Sequence, residues 1–491
     1  MKTKILLFAV LFVLLNSSYL ILNSFAQWET EIKLTNDPGI SALGNNNAKQ
    51  ICVVGNLVHV VWVDHRNAKP EIYYKRSPDK GVSWGNDVRL VYSSGQSYYP
   101  AVSGSDSILY VAWQDTRFGN EEIMLKRSTN GGLNWSNDMR ITSDAANSRT
   151  PAIFAHKTIY EALYLVWEDT RDGNSEIYYT RSIDGGITFT AQLRVTSNSS
   201  ASVLPSVSCN GTSVNIAWQD ARDGNAEIYH IRSNNGSWSS EMRLTNNSGE
   251  SLNPCIIRKN DFVGVVWYDN RDGNNEIYLK TSTNTGSNWS SDKRLTNQSA
   301  ASARPSLDIS GDYMHVSWED YRDGHSEVYY KSSPDKGLSW STDTRLTNTS
   351  GDGAGNPSIF VYGTGIYLAW NYNNEIYFKR NPTGNPIGIK NISSEIPSAF
   401  SLSQNYPNPF NPVTKIRFAV PLCHSGVGRN PLVVLTVFDI LGKVVATLVN
   451  ESLQPGTYET TFDASNLTSG IYFYQLQSDN FIQTKKLTLI K

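Results

Sequence analysis

The sequence predicts an all-β protein: a seven-bladed β-propeller followed by a small Ig-like β-sandwich. Three observations lead there. The 491-residue chain repeats itself about every fifty residues over most of its length, and a fixed period of that size signals a repeat architecture. Each repeat holds four short strand patterns separated by Gly- and Asn-rich turns, the content of one propeller blade. The chain is 11% aromatic, only 18% charged and rich in Ser, Thr, Asn and Gly, as turn-rich β proteins are.

Tryptophan sets the period. Seven of the 13 (Trp62, Trp113, Trp167, Trp218, Trp267, Trp318 and Trp370) end an apolar run and lie 51, 54, 51, 49, 51 and 52 residues apart. The other six (Trp28, Trp84, Trp135, Trp238, Trp289 and Trp340) precede a basic-aliphatic-Thr pattern. In the third copy, Thr150–Phe154 reads as a strand opened by Pro151. Leu163–Trp167 reads as a strand buried on both faces, because its apolar run is unbroken. Glu176–Ser182 alternates as a half-buried strand does, and Leu193–Thr196 closes the unit. The third pattern recurs from Glu71, Glu122, Glu176, Glu227, Glu276, Glu327 and Glu375. The fourth follows each of the first six copies but not the seventh. Trp28–Thr35 supplies the missing copy, so the N-terminal strand is expected to complete the seventh blade and leave no open blade edge.

Charge and cysteine usage narrow the function class. A net charge of -2 with both signs interspersed argues against a nucleic-acid or anionic-membrane partner. Lys2, Lys4 and the apolar Ile5–Leu15 read as a secretory signal over residues 1–26, with cleavage expected between Ala26 and Gln27. No later stretch is long enough to span a bilayer. Cys52, Cys209, Cys255 and Cys423 show no metal-type spacing, and no structural disulfide is expected.

One repeated turn carries a family signature. Ser77–Trp84 and Ser333–Trp340 read Ser-x-Asp-x-Gly-x-x-Trp. Asn130 and Asn284 replace the Asp in two further copies, the copy at Ser233–Trp238 is two residues short, and the copy with Asp184 and Gly186 ends in Phe189. This turn resembles the Asp-box (BNR) motif of the sialidase superfamily. The resemblance implies a propeller and a structural role for Asp79, Gly81, Trp84, Asp184, Gly186, Asp335, Gly337 and Trp340, on the face away from an active site. Sialidases are six-bladed and use an arginine triad, a Tyr-Glu pair and an acidic residue, with an Arg-Ile-Pro motif near the N-terminus. This chain reads as seven-bladed and lacks Arg-Ile-Pro, so no catalytic residue carries over.

The candidate binding residues lie in the other repeated turn, expected on the opposite face near the pore. Six copies read Asp-x-Arg: Asp64/Arg66, Asp115/Arg117, Asp169/Arg171, Asp220/Arg222, Asp269/Arg271 and Asp320/Arg322. Arg presents a donor fork suited to carboxylates, so the ring reads either as a repeated internal ion network or as a set of sugar or carboxylate sites. Calcium held by the clustered carboxylates is a third reading, opposed by the Arg in each loop. Symmetry breaks at the seventh copy, where Trp370-Asn371-Tyr372 lacks the motif, and in the long Asn-rich connection from Lys33 to Ile51. Tyr372 and Arg66 therefore mark a notch as the candidate unique site, against simple decay of a terminal repeat.

Composition changes after Arg380. Residues 382–396 read as a linker, and residues 397–491 as strands and turns of a sandwich. The run Asn405-Tyr406-Pro407-Asn408-Pro409-Phe410-Asn411-Pro412, then Val437-Phe438-Asp439-Ile440-Leu441-Gly442, Pro455-Gly456-Thr457-Tyr458 and Ser469-Gly470-Ile471-Tyr472, closely resembles the type A C-terminal sorting domain of the type IX secretion system. The resemblance implies export through that machinery, to the medium or the outer surface. Cys423–Pro431 departs from the pattern as an insert expected to form a loop. The combined expectation is a propeller over residues 27–381 that binds a glycan, surface polymer or surface protein without catalysis. A sialidase-like hydrolase or lyase and a structural scaffold are the alternatives.

Overall fold

The computed structural model describes residues 28–491 apart from 106–107, 158–160, 352, 386–389, 394, 423–430, 454, 465–466 and 479–480. The signal segment, Ala26, Gln27 and most of the Cys423–Pro431 insert lie outside the described residues. The described secondary structure is β throughout, and each repeat forms one antiparallel sheet. In the third, Ser148–Lys157, Glu161–Asp169, Glu176–Ser182 and Leu193–Arg194 pair in chain order. The Trp-bearing second strand sits inside the sheet with both faces covered, which explains its unbroken apolar run. All seven of its Trp are at most 1% exposed.

Ile32–Lys33 pairs antiparallel with Glu375–Asn381, so the N-terminal strand is the fourth strand of the last repeat's sheet. The first strands of successive sheets are neighbours, and Ala354–Tyr362 of the last sheet neighbours Ile51–Val54 of the first. Sheet-to-sheet contact therefore runs through all seven repeats and returns to its start. Apolar clusters fill each junction; one combines Val60 and Trp62 with Ala369, Ile376 and Phe378.

Each first strand is an inner edge whose backbone donors need acceptors. Side chains from the adjoining sheet supply them. Ser103 Oγ accepts from Ala155 N (2.8 Å), Ser208 Oγ from Arg258 N (2.9 Å), Ser306 Oγ from Ile359 N (3.2 Å) and Ser358 Oγ from Gln50 N (3.1 Å). Asp308 does the same work with a carboxylate, taking Val361 N at 2.8 Å.

The long connection before Ile51 crosses the space enclosed by these inner strands. Asn46 Nδ2 donates to Pro151 O (3.0 Å) and Tyr99 O (3.2 Å), and Asn47 Nδ2 to Leu204 O (3.4 Å). Lys49 Nζ donates to Leu307 O (2.6 Å), Ile359 O (2.7 Å) and Ser306 Oγ (3.3 Å).

Beyond residue 381, Lys390–Ser393, inside the segment read as linker, pairs with Gly456–Asp463. Val413–Val420 and Ser401–Leu402 complete that sheet; Val444–Ser452, Leu432–Phe438, Gly470–Ser478 and Phe481–Leu489 form a second. Ile416 and Phe418 of one sheet share a buried core with Leu435, Tyr474 and Leu487 of the other.

Candidate functional site

The Asp-x-Arg loops join second to third strands, so antiparallel order places them at the opposite end of the sheets from the Ser-x-Asp turns. Each Asp is fully buried and fully bonded. Asp169 Oδ2 accepts from Trp167 Nε1 (2.9 Å) and Ser148 Oγ (3.0 Å), and Oδ1 from the backbone N (3.0 Å) and Nε (2.8 Å) of Arg171. The second prong of the fork, Nη2, lies 2.5 Å from Oδ2, and the guanidinium sits 4.4 Å above the Tyr178 ring. Burial pushes the carboxyl up, but the hydrogen bonds from Arg171 and Trp167 outweigh it and hold Asp169 below the usual carboxylate range.

The same clamp binds Arg66 to Asp64, Arg117 to Asp115, Arg222 to Asp220, Arg271 to Asp269 and Arg322 to Asp320. A further acid completes each guanidinium's shell: Asp87, Asp138, Asp144, Glu241, Asp292 and Asp343 serve Arg66, Arg117, Arg171, Arg222, Arg271 and Arg322. The rest of the turn also bonds inward. Asp172 takes the Tyr178 hydroxyl, and Asn174 Nδ2 donates to Asn198 O and Ser200 O. The Glu that opens each third strand is buried beside a basic residue of the fourth; Glu176 binds Arg194 Nη2 (2.7 Å) and Thr196 Oγ1 (2.5 Å).

Tyr372 stands where the other copies have Asp. Its ring lies 5.7 Å from Tyr377, and its hydroxyl donates to Ser350 O (2.8 Å). Asn373 and Asn374 have φ of 50° and 61°, so a two-residue hairpin turn replaces the longer loop. Arg66 does not reach out toward this corner, since Asp37, Asp64 and Asp87 hold it over Tyr73. The structure thus places the two notch residues in separate local networks.

The Ser-x-Asp turns bond within themselves. Ser77 Oγ accepts from Gly81 N (2.7 Å) and Asp79 Oδ1 from Ser83 N (2.8 Å); Ser333, Asp335, Gly337 and Ser339 repeat this, as do Ser182, Asp184, Gly186 and Thr188. Gly81 has φ +88°, and a Cβ there would fall 2.5 Å from Phe378 Cζ in the last repeat's sheet. Trp84 packs edge-on against the same ring, while Trp340 packs at the junction of the fifth and sixth sheets, with Nε1 donating to Gly337 O.

Three groups escaped sequence reasoning. Tyr92, Phe118 and Tyr321 are exposed rings on the Asp-x-Arg side, and Arg89 and Arg140 back the first two at 4.3 and 4.0 Å. Glu168 is buried and pushed above the ordinary carboxyl range by that burial, with Glu121 adding repulsion and Ser175 Oγ donating to it (2.9 Å). Glu121 is in turn held by Arg149 and Gln114. Positions equivalent to Glu168 hold Val63, Gln114, Gln219, Tyr268, Glu319 and Asn371, a break in the repeat that a column-by-column reading would have found. The third group lines the enclosed channel: Lys49, Arg258, Lys259 and Asp308 around a cavity of about 240 Å³. Cys52, Cys209 and Cys255 are buried free thiols. Among the described residues no three His, Cys, Asp or Glu side chains gather as a metal-holding group.

Solved structures align with much of the chain. Polysaccharide lyase Uly1 aligns with a TM-score of 0.50 at 9% identity, over 72% of this chain and 100% of that one. The phage phi92 endosialidase gives 0.45 at 10% identity, over 87% and 80%. Trypanosoma rangeli sialidase gives 0.42 at 10%, over 93% and 88%. At 9% identity the likeness to Uly1 speaks to the fold alone. No curated protein sequence matches the chain. No helix among the described residues is long and apolar enough to cross a membrane. Residues 404–491 match the family described as the secretion system C-terminal sorting domain. The chain therefore carries a type IX secretion system sorting domain and is an exported protein, extracellular or held at the cell surface.

Proposed function

We propose that the chain is a seven-bladed β-propeller, closed by its N-terminal strand and carried out of the cell by an Ig-like sorting sandwich, and that it binds a glycan or other surface polymer without catalysis. One observation carries this reading: on the Asp-x-Arg side the repeated carboxylates are locked in ion pairs while Tyr92, Phe118 and Tyr321 stand exposed. Acid–base chemistry needs a carboxyl free to exchange a proton with substrate, and the clamped Asp residues are not. Exposed rings offer flat apolar faces of the kind that protein–ligand contacts favour, and several weak sites on one face gain strength together. A polysaccharide array probed with the exported chain tests this. Selective retention without product release is expected, and a blank array would sink the polymer reading.

One observation favours a hydrolase as the second reading. Glu168, pushed above the ordinary carboxyl range by burial, stands near Glu121, which Arg149 holds, and glycoside cleavage uses a pair of carboxyl groups. Release of sugar from any array polymer, abolished by Glu168→Gln, would establish that reading in place of the first.

A further inference from the structure

The channel holds an asymmetric chamber on the side of the Ser-x-Asp turns. Its lining comes from the later halves of the inner strands, including Phe154, Arg258, Lys259, Asp308 and Phe360, and Asn47, Ala48 and Lys49 form its inner end. Its volume of about 240 Å³ is that of about eight water molecules at their share of the liquid. That is room for one small molecule.

The charge around it is unbalanced. Lys49 is bonded only to neutral oxygens, those of Ser306, Leu307 and Ile359. Arg258 is 7% exposed; its Nε donates to the Asn260 carbonyl at 3.0 Å and its Nη1 to the side-chain oxygen of buried Asn215 at 3.1 Å. No described carboxylate forms an ion pair with Lys49, Arg258 or the exposed Lys259; Asp261 acts on Arg258 only at longer range. The clamps elsewhere set the contrast, since there each guanidinium has two or more acids. Asp308 is the chamber's own carboxyl. Its Oδ1 accepts from Ile309 N and its Oδ2 from Val361 N, each at 2.8 Å, and it lies beyond ion-pair distance of these cations. Burial also pushes it up, against the attraction of Lys49 and Lys259. Between the charges the walls are apolar: Phe154, Ile257, Ile309, Phe360 and Val361. A guanidinium that meets only neutral oxygens, beside apolar walls, favours an anion that brings its own apolar surface.

We infer that this chamber binds a small organic acid, with one carboxylate against Arg258 and Lys259 and a hydrocarbon or aromatic body against Phe154 and Phe360. The site is separate from the polymer-binding face and stands or falls apart from it. Isothermal titration of the full exported chain with 3-phenylpropionate, 3-phenylpropionamide and inorganic phosphate tests it. The acid is expected to bind once per chain and about tenfold more tightly than the amide, the difference one charge-assisted contact makes. Lys259→Gln, a surface change that leaves melting unaltered, is expected to weaken the acid about tenfold and leave the amide as it was. Equal binding of acid and amide, phosphate binding as tight as the acid, or no heat from any probe would each overturn the assignment.

Discussion

Arg171→Ala is the sharpest test of the clamp ring. The substitution removes two prongs from Asp169 and leaves a fully buried carboxylate with three neutral donors: Trp167 Nε1, Ser148 Oγ and the backbone N of residue 171. Breaking a buried ion pair from one side costs about 3–5 kcal/mol. The Arg171 side chain is 24% exposed, so screening and the surviving donors bring the loss to about 2–3 kcal/mol. Loss of the stacking on Tyr178 adds about 0.5–1 kcal/mol. The total near 3 kcal/mol corresponds to a melting shift of roughly 5 °C for a domain of this size. Asp169→Asn combined with Arg171→Ala should recover much of the loss, because no bare charge is then left buried. Asp169 titrates below the usual carboxylate range when folded. Its contribution is therefore present above about pH 4 and lost as pH falls below it, and the gap between parent and variant should narrow there. The assay is thermal melting from pH 7 to pH 3 without any ligand. An unchanged melting temperature together with lost polymer affinity would refute the clamp and restore the ring as a binding surface.

Four other outcomes are expected. Thr35→Val removes a hydroxyl that donates to Glu375 Oε2 and accepts from Ile376 N, and it should cost about 2 kcal/mol by chemical denaturation; no change would mean the closing strand contributes little. Gly81→Ala should cost about 2–3 kcal/mol because its Cβ meets Phe378 at positive φ, whereas Gly173→Ala, in open space, should cost only about 1 kcal/mol; equal losses in melting would discount the junction. His59 is buried against the Tyr74 hydroxyl and pushed down to about 3, so its stability contribution is full above about pH 6.5 and lost as pH falls toward 3, at about 1.4 kcal/mol per unit. His59→Phe should therefore lose less stability than the parent between pH 7 and pH 5, and parallel urea midpoints would contradict this. Deleting residues 397–491 should hold the protein in the periplasm, and normal surface display without them would overturn the sorting assignment.

The repeats were legible because their information is local. Each Trp, each Glu-Ile-Tyr start and each Gly-Asn turn falls within a short window, and the strand starts at Glu71, Glu176 and Glu375 fall where the pattern places them. The inner half of each clamp was legible too, since Asp and Arg are two residues apart. The outer half was missed: Asp138 reaches Arg117 from 21 residues away, and the acid that recurs two residues before the fourth-strand Arg, at Asp87, Asp138, Glu241, Asp292 and Asp343, is joined to the Asp-x-Arg turn only by the fold. The chamber was hidden for the same reason. Phe154, Arg258, Asp308 and Phe360 are brought together only when the sheets close, and none stands out in its own repeat. The connection before Ile51 announced extra length, but not that Asn46 and Lys49 would run inward.

That inward segment changes how the molecule should come apart. Repeat proteins with only neighbour-to-neighbour contacts unfold as approximate sums of independent units, and their ends can fray. Here residues 46–50 bond to inner strands of five other sheets, through Tyr99, Pro151, Leu204, Leu307 and Ile359. Melting any one of those sheets strips a buried or half-buried amide or ammonium of its acceptors, so the cost is felt at the centre and shared by the others. The array should behave as one cooperative unit, with a single calorimetric transition whose sharpness depends on a handful of side chains at the axis.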